Sequence, residues 1–172
     1  MSIKFQNLSG KSIDLTHLKP EDICIEDIAH ALSLQCRYNG QIKEFYSVAQ
    51  HSSLVSRLVY YDTKDKTLAL CGLLHDAAEA YIGDIITPIK HMFAGLMRLE
   101  AMVLDVVLKE EGVDLYRTYI KNIDLIDKYD KFCLDFEMKY FYGNNKLIFD
   151  MLPDTSIVSE IVFLQQYHYY RS

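Results

Sequence analysis

A chain of 172 residues is long enough to bury a sizeable core and short enough to form one domain. Half of it is hydrophobic and 24% is charged, an ordinary globular balance. No apolar run approaches the roughly 20 residues that a membrane helix requires, which excludes a helical membrane span. The net charge of −6 argues against a dedicated binder of nucleic-acid polymers, which carries a basic face, though not against a nucleotide substrate.

The first twenty residues carry turn and strand signals around Gly10 and Pro20, and a short strand or hairpin is expected there. Helical patterning begins at Glu26 and runs to Leu34, with Asn39 and Gly40 beyond it. Ser47 to Tyr61 reads as a second helix, its apolar face made by Val48, Leu54, Val55, Leu58 and Val59. Asp65 suits the N-cap of a third, Lys66 to Ala80. Gly83 and Pro88 bracket a loop, and periodicity resumes from Phe93 to Glu110 with a stop near Gly112. A long helical stretch is predicted from Leu115 to Tyr142, ended by Gly143 and the two asparagines after it. A last amphipathic segment, Ser156 to Tyr169, follows Pro153. With seven glycines, three prolines, no linker and no alternating β-branched run, the expected fold is an all-α single-domain bundle. Roughly five to seven helices would build it.

The cysteines at 24, 36, 71 and 133 show no C-x-x-C spacing. Cys71 and Cys133 lie in apolar, helix-like runs and are expected to be buried free thiols. With no signal-peptide pattern at the start, the expected compartment is the cytoplasm.

Chemistry concentrates between Leu73 and Lys90. His75 and Asp76 end a run that is otherwise pure core, Leu68 to Leu74. A histidine and a carboxylate on such a helix are costly unless something satisfies them, and a divalent metal would. Glu79, four residues after His75, would share its helical face and stand near a bound water without being a ligand. His51, among apolar neighbours on the preceding helix, can supply a third ligand. A fourth can come from the helix holding Asp124, Asp127, Asp130 and Asp135; Asp130 and Glu137, seven apart, share nearly one face.

The stretch Tyr46-Ser-Val-Ala-Gln-His51 is followed by Leu74-His-Asp-Ala-Ala-Glu-Ala-Tyr-Ile-Gly-Asp84 and by Thr87-Pro-Ile-Lys90. This ordered set resembles the HD-domain phosphohydrolases, in particular the small branch acting on nucleotides. That branch includes 5′-deoxyribonucleotidases and phage-type deoxyadenosine triphosphate triphosphohydrolases. The likeness extends to Ile28-Ala-His-Ala-Leu-Ser33, to Arg37-Tyr-Asn-Gly40 and to Asp130 with Glu137, covering about residues 26–143. It implies an HD-type helical bundle with metal ligation by His51, His75, Asp76 and Asp130, with Asp127 as the fallback. It further implies that Glu79 and Asp84 arrange the attacking water and the leaving group. Arg37 would meet the substrate phosphate, Tyr38 the nucleoside, and Lys90 would add positive charge at the mouth.

Two histidines and two aspartates suit Mn, Co, Fe, Ni, Mg or Zn. The function expected is metal-dependent removal of phosphate from 2′-deoxynucleotides by an activated water, with a nucleoside triphosphate or a monophosphate as substrate. A nucleotide-sensing module without turnover and a purely structural helical protein are the alternatives. No G-x-x-x-x-G-K-[ST] loop suggests a kinase. The expected partners are a small nucleotide and further copies of the chain, as a dimer or larger assembly, with the tyrosine-rich end Tyr167 to Tyr170 a possible contact. No nucleic-acid polymer or membrane is expected. His30 is read as structural, bonding across helix packing.

Overall fold

The computed structural model describes residues 4–143 and 153–172. The chain opens with an antiparallel hairpin, β1 (Lys4–Gln6) and β2 (Ser12–Asp14), in register Phe5 opposite Ile13. The buried carboxylate of Asp27 anchors its turn by accepting bonds from Asn7, from the Ser9 backbone and from the Ser9 hydroxyl. Asp27 belongs to α1 (Ile25–Leu34), whose Ile28, Ala29 and Leu32 face the core.

The centre is a helical hairpin, α2 (Val48–Thr63) and α3 (Lys66–Leu74). Both starts are capped by side chains: Ser47 accepts from the Gln50 amide, and Asp65 accepts from the amides of Thr67 and Leu68. Lys64, in the left-handed region at φ 56°, closes α2 and begins the turn. The buried face of α2 carries small polar residues, Ser52, Ser53 and Ser56, and at Ser56 α3 approaches closely. Gly72 sits at that crossing: a Cβ there would lie 3.2 Å from Val59 Cγ2 and 3.3 Å from Ser56 Cα.

Two short helices, α4 (Glu79–Ile82) and α5 (Thr87–Lys90), lead into α6 (Ala94–Glu110), which buries Val103, Val107 and Leu108. Then come α7 (Ile123–Tyr142) and α8 (Ser156–Arg171). Helix α8 packs on α1, α2 and α3, burying Phe163, while α7 runs along α2 around Leu54, Val55, Val59 and Cys133. His30 bonds Glu160 across the α1–α8 contact, Nδ1 to Oε2 3.0 Å. Cys71 and Cys133 are buried free thiols. The fold is therefore an all-α bundle, built among the described residues by six helices of nine or more residues and two single turns. No helix among the described residues is long and apolar enough to cross a membrane.

Two expected boundaries are corrected. The third helix stops at Leu74 instead of reaching Ala80, because the His75 ring Nδ1 donates to the Gly72 carbonyl at 2.8 Å. The chain then tightens into three-residue turns, with the Ala77 amide on the Leu74 carbonyl and the Glu79 amide on that of Asp76. The long stretch from Leu115 divides as well. Asp114 caps a wide turn at Leu115–Tyr119, and Asn122 Nδ2 takes the Thr118 carbonyl, so regular helix starts only at Ile123. The asparagines after Gly143 lie outside the described residues.

Candidate metal centre

The hairpin places the start of α2 beside the end of α3, so His51 and His75 meet with ring centroids 5.4 Å apart. The His51 side chain is wholly buried and that of His75 nearly so. Helix α7 closes the third side. Asp130 Oδ1 stands 3.0 Å from His51 Nε2 and 3.9 Å from His75 Nε2. Asp76 Oδ2 lies 3.1 Å from His75 Nε2 and 3.8 Å from His51 Nε2. His51, His75 and Asp130 each offer a ligand atom within 4.8 Å of the others; Asp127 is outside that group, and so is the expected ligand Asp76, which joins the cluster through its approach to the two histidines.

Both Nε2 atoms are buried and make no aligned hydrogen bond, although a carboxylate oxygen stands 3.0 Å from that of His51 and 3.1 Å from that of His75. Two buried imidazole nitrogens left without partners need an explanation. Ligands about 2.1 Å from one ion and at right angles to each other are about 3.0 Å apart, which matches the closest His–Asp separations here. The donor set, two imidazoles and two carboxylates, suits a borderline divalent cation.

Each imidazole is held from behind. The His75 Nδ1–H donates to the Gly72 carbonyl, and the His51 Nδ1–H donates to Glu137 Oε1 at 2.6 Å. This is the usual support for a ligating histidine, and it leaves Nε2 facing the cluster. Burial disfavours charge on both rings. For His75 the carboxylates of Asp76 and Asp130 outweigh burial and raise it to about 9, and for His51 those of Glu137 and Asp130 raise it in the same sense. Burial opposes ionisation of Asp76 as well, yet His75, His51 and Arg37 hold it well below the usual carboxylate range. The cluster thus demands positive charge between its aspartates, which protons or a cation can supply.

Glu79, 3% exposed, accepts from Lys90 Nζ at 2.7 Å through Oε1, while its buried Oε2 has no partner. Because α3 ends early, Glu79 starts a new helix and does not share the helical face of His75 as the spacing suggested. Burial raises the Glu79 carboxyl, as do the charges of Asp76 and Asp84, against the pull of Lys90. Lys90 also bonds Glu100 of α6 at 2.6 Å, so its ammonium is shared between two carboxylates. Asp84 follows Gly83, whose φ of 87° only glycine adopts freely. Burial raises the Asp84 carboxyl, with Arg37 opposing.

Arg37 lies in the loop after α1. Its Nε donates to Glu137 Oε2 at 3.1 Å, and Nη1 is 3.7 Å from Asp76 Oδ2. Tyr38 donates its hydroxyl to the same Glu137 oxygen at 2.7 Å, and its ring stands against Phe141 and Tyr142 of α7. Three participants carry no assigned role in the sequence reading: Glu137, Gln35 and Glu100. Gln35 clamps the segment after the histidine–aspartate pair, donating to the Glu79 carbonyl at 2.9 Å and accepting from the Asp84 amide at 3.0 Å. The shared face of Asp130 and Glu137 was the available signal for Glu137; nothing local marks Gln35 or Glu100.

The fold and this cluster define an all-α protein with a buried histidine–carboxylate centre suited to a divalent cation. No protein-family model matches the chain. It is 38% identical over 122 residues to the uncharacterized protein YfdR of Escherichia coli K12, an alignment covering 70% of this chain and 66% of that protein. An uncharacterized protein of Rhodobacter capsulatus is 47% identical over 87 residues, covering 48% of this chain and 44% of its own length. The chain therefore spans just under two thirds of the first relative and less than half of the second.

Proposed function

We propose that the chain is a metal-dependent phosphohydrolase that removes phosphate from 2′-deoxynucleotides. The observation that carries this reading is the pair of buried, unpartnered Nε2 atoms of His51 and His75, converging with Asp76 and Asp130 beside the unpartnered Oε2 of Glu79. When bound, a divalent cation supplies Lewis acidity, drawing charge from a phosphoryl oxygen and lowering the pKa of a nearby water.

The side chains divide the remaining work. Glu79, through its free Oε2, takes the proton of the attacking water as that water's oxygen bonds to phosphorus. The ester P–O bond breaks, and the proton that Glu79 has taken passes to the leaving oxygen, with Asp84 beside it to orient that group. Arg37 is anchored through Nε on Glu137 with Nη1 3.7 Å from Asp76, and its remaining terminal N–H groups steady the equatorial phosphate oxygens. Lys90 holds Glu79 in place and adds positive charge at its side.

The test is to strip the metal and supply Mn, Co, Mg or Zn against ribo- and deoxynucleoside mono-, di- and triphosphates, reading orthophosphate and nucleoside products by chromatography. Metal-dependent turnover that Asp76→Ala abolishes is expected, and the products report how many phosphates leave. One observation favours a second reading, binding without turnover: Arg37 and Lys90 are each already paired with two carboxylates. Tight metal and nucleotide binding with no product from any metal would establish that reading instead.

A further inference from the structure

Glu137 is 1% exposed, and its two oxygens face different parts of the molecule. Oε1 accepts from His51 Nδ1, which leaves the opposite ring nitrogen bare toward the cluster. Oε2 accepts from Arg37 Nε and from the Tyr38 hydroxyl. The loop that supplies those two donors is strained, since Tyr38 and Asn39 both lie in the left-handed region, at φ 58° and 52°. Its base is fixed by the Arg37 amide on the Tyr46 carbonyl and by the Val48 amide on that of Gln35. At its crest, the Tyr38 hydroxyl bond to Glu137 reaches across to α7.

We propose that Glu137 is a positioning residue coupling the metal centre to the Arg37–Tyr38 loop. One carboxylate selects the nitrogen His51 presents to a cation and holds the loop in its strained form, so order at either place strengthens the other. A cation drawing density from His51 Nε2 makes Nδ1–H a stronger donor to Glu137, and a firmly held loop keeps Glu137 aimed at His51. This inference rests on the metal-centre reading above.

Isothermal titration of Mn2+ into the metal-free wild type, Glu137→Gln, Tyr38→Phe and the double variant tests it. Glu137→Gln is expected to weaken Mn2+ binding about 10- to 100-fold. Tyr38→Phe, whose lost hydroxyl bonds Glu137 and no candidate ligand, is expected to weaken it about threefold. The double variant should match Glu137→Gln alone, because the tyrosine acts only through the glutamate. Wild-type affinity in Glu137→Gln, or losses that multiply in the double variant, would overturn the coupling. Should Glu137→Gln fail to fold by circular dichroism, Tyr38→Phe decides, and unchanged affinity there overturns it. A wild type that binds no Mn2+ would instead remove the metal centre itself and the coupling with it, an outcome distinct from loss in the variants alone.

Discussion

His51 shows how one side chain can organise a site. Its two ring nitrogens are addressed by Asp130 and Glu137, two carboxylates seven residues apart on α7, so a single helix face supplies both a candidate ligand and the group that orients the imidazole. Asp127 is one turn away and outside the cluster. Asp130→Asn is therefore expected to lower Mn2+ affinity at least about tenfold, the order seen when a metal site is disturbed. Asp127→Asn should leave it unchanged, and calorimetric titration of both variants would show the contrast or its absence. Equal losses would mean that α7 presents a different register to the histidines.

The meeting of α2 and α3 decides whether the two histidines face each other at all. Ser56 and Gly72 keep the helices close, and the Gly72 carbonyl also receives the His75 ring. Gly72→Ala would force a methyl to within 3.2 Å of Val59 and 3.3 Å of the Ser56 backbone. The valine side chain can rotate, but the backbone must move. A loss of about 1–3 kcal/mol is expected, the usual effect of overpacking a tight contact. Denaturant unfolding would measure it, and wild-type stability would mean that the crossing has slack. The glycine's removal should also shift His75, so Mn2+ affinity is expected to fall together with stability.

Across the whole molecule, the candidate ligands come from three places: the first turns of α2, the turn after α3, and the middle of α7. A cation joining them would bind only the folded chain. At a concentration 100 times its dissociation constant it would add about 2.7 kcal/mol of stability. For a chain of this size that corresponds to a rise in Tm of roughly 5–10 °C. Differential scanning calorimetry with Mn2+ and then with excess chelator should show the rise and its reversal. A Tm indifferent to every divalent metal would count against a cation bridging these elements.

Much of the architecture was legible locally. Ser47 and Asp65 announce helix starts because a capping bond spans only two or three residues, and the apolar periodicity of α2 reports a buried face without reference to any partner. His51, His75 and Asp76 stood out because polar groups in apolar runs need a reason. The end of α3 was less visible, since Lys66 to Ala80 reads as good helix. It took a ring nitrogen finding the Gly72 carbonyl to break the ladder. Other features depended on chain segments far apart in sequence: Glu137 joining residues 86 and 100 positions away, Gln35 clamping Glu79 and Asp84, and Lys90 shared with Glu100. By itself the sequence determined the helices, their buried faces and the residue types able to hold a cation, because propensity, capping and periodicity act over a few residues. The tertiary structure alone decided which aspartate of α7 meets the histidines and which carboxylate ties the site to its loop. Those pairings depend on how the helices cross, and the crossing is set by side chains from several elements packed together.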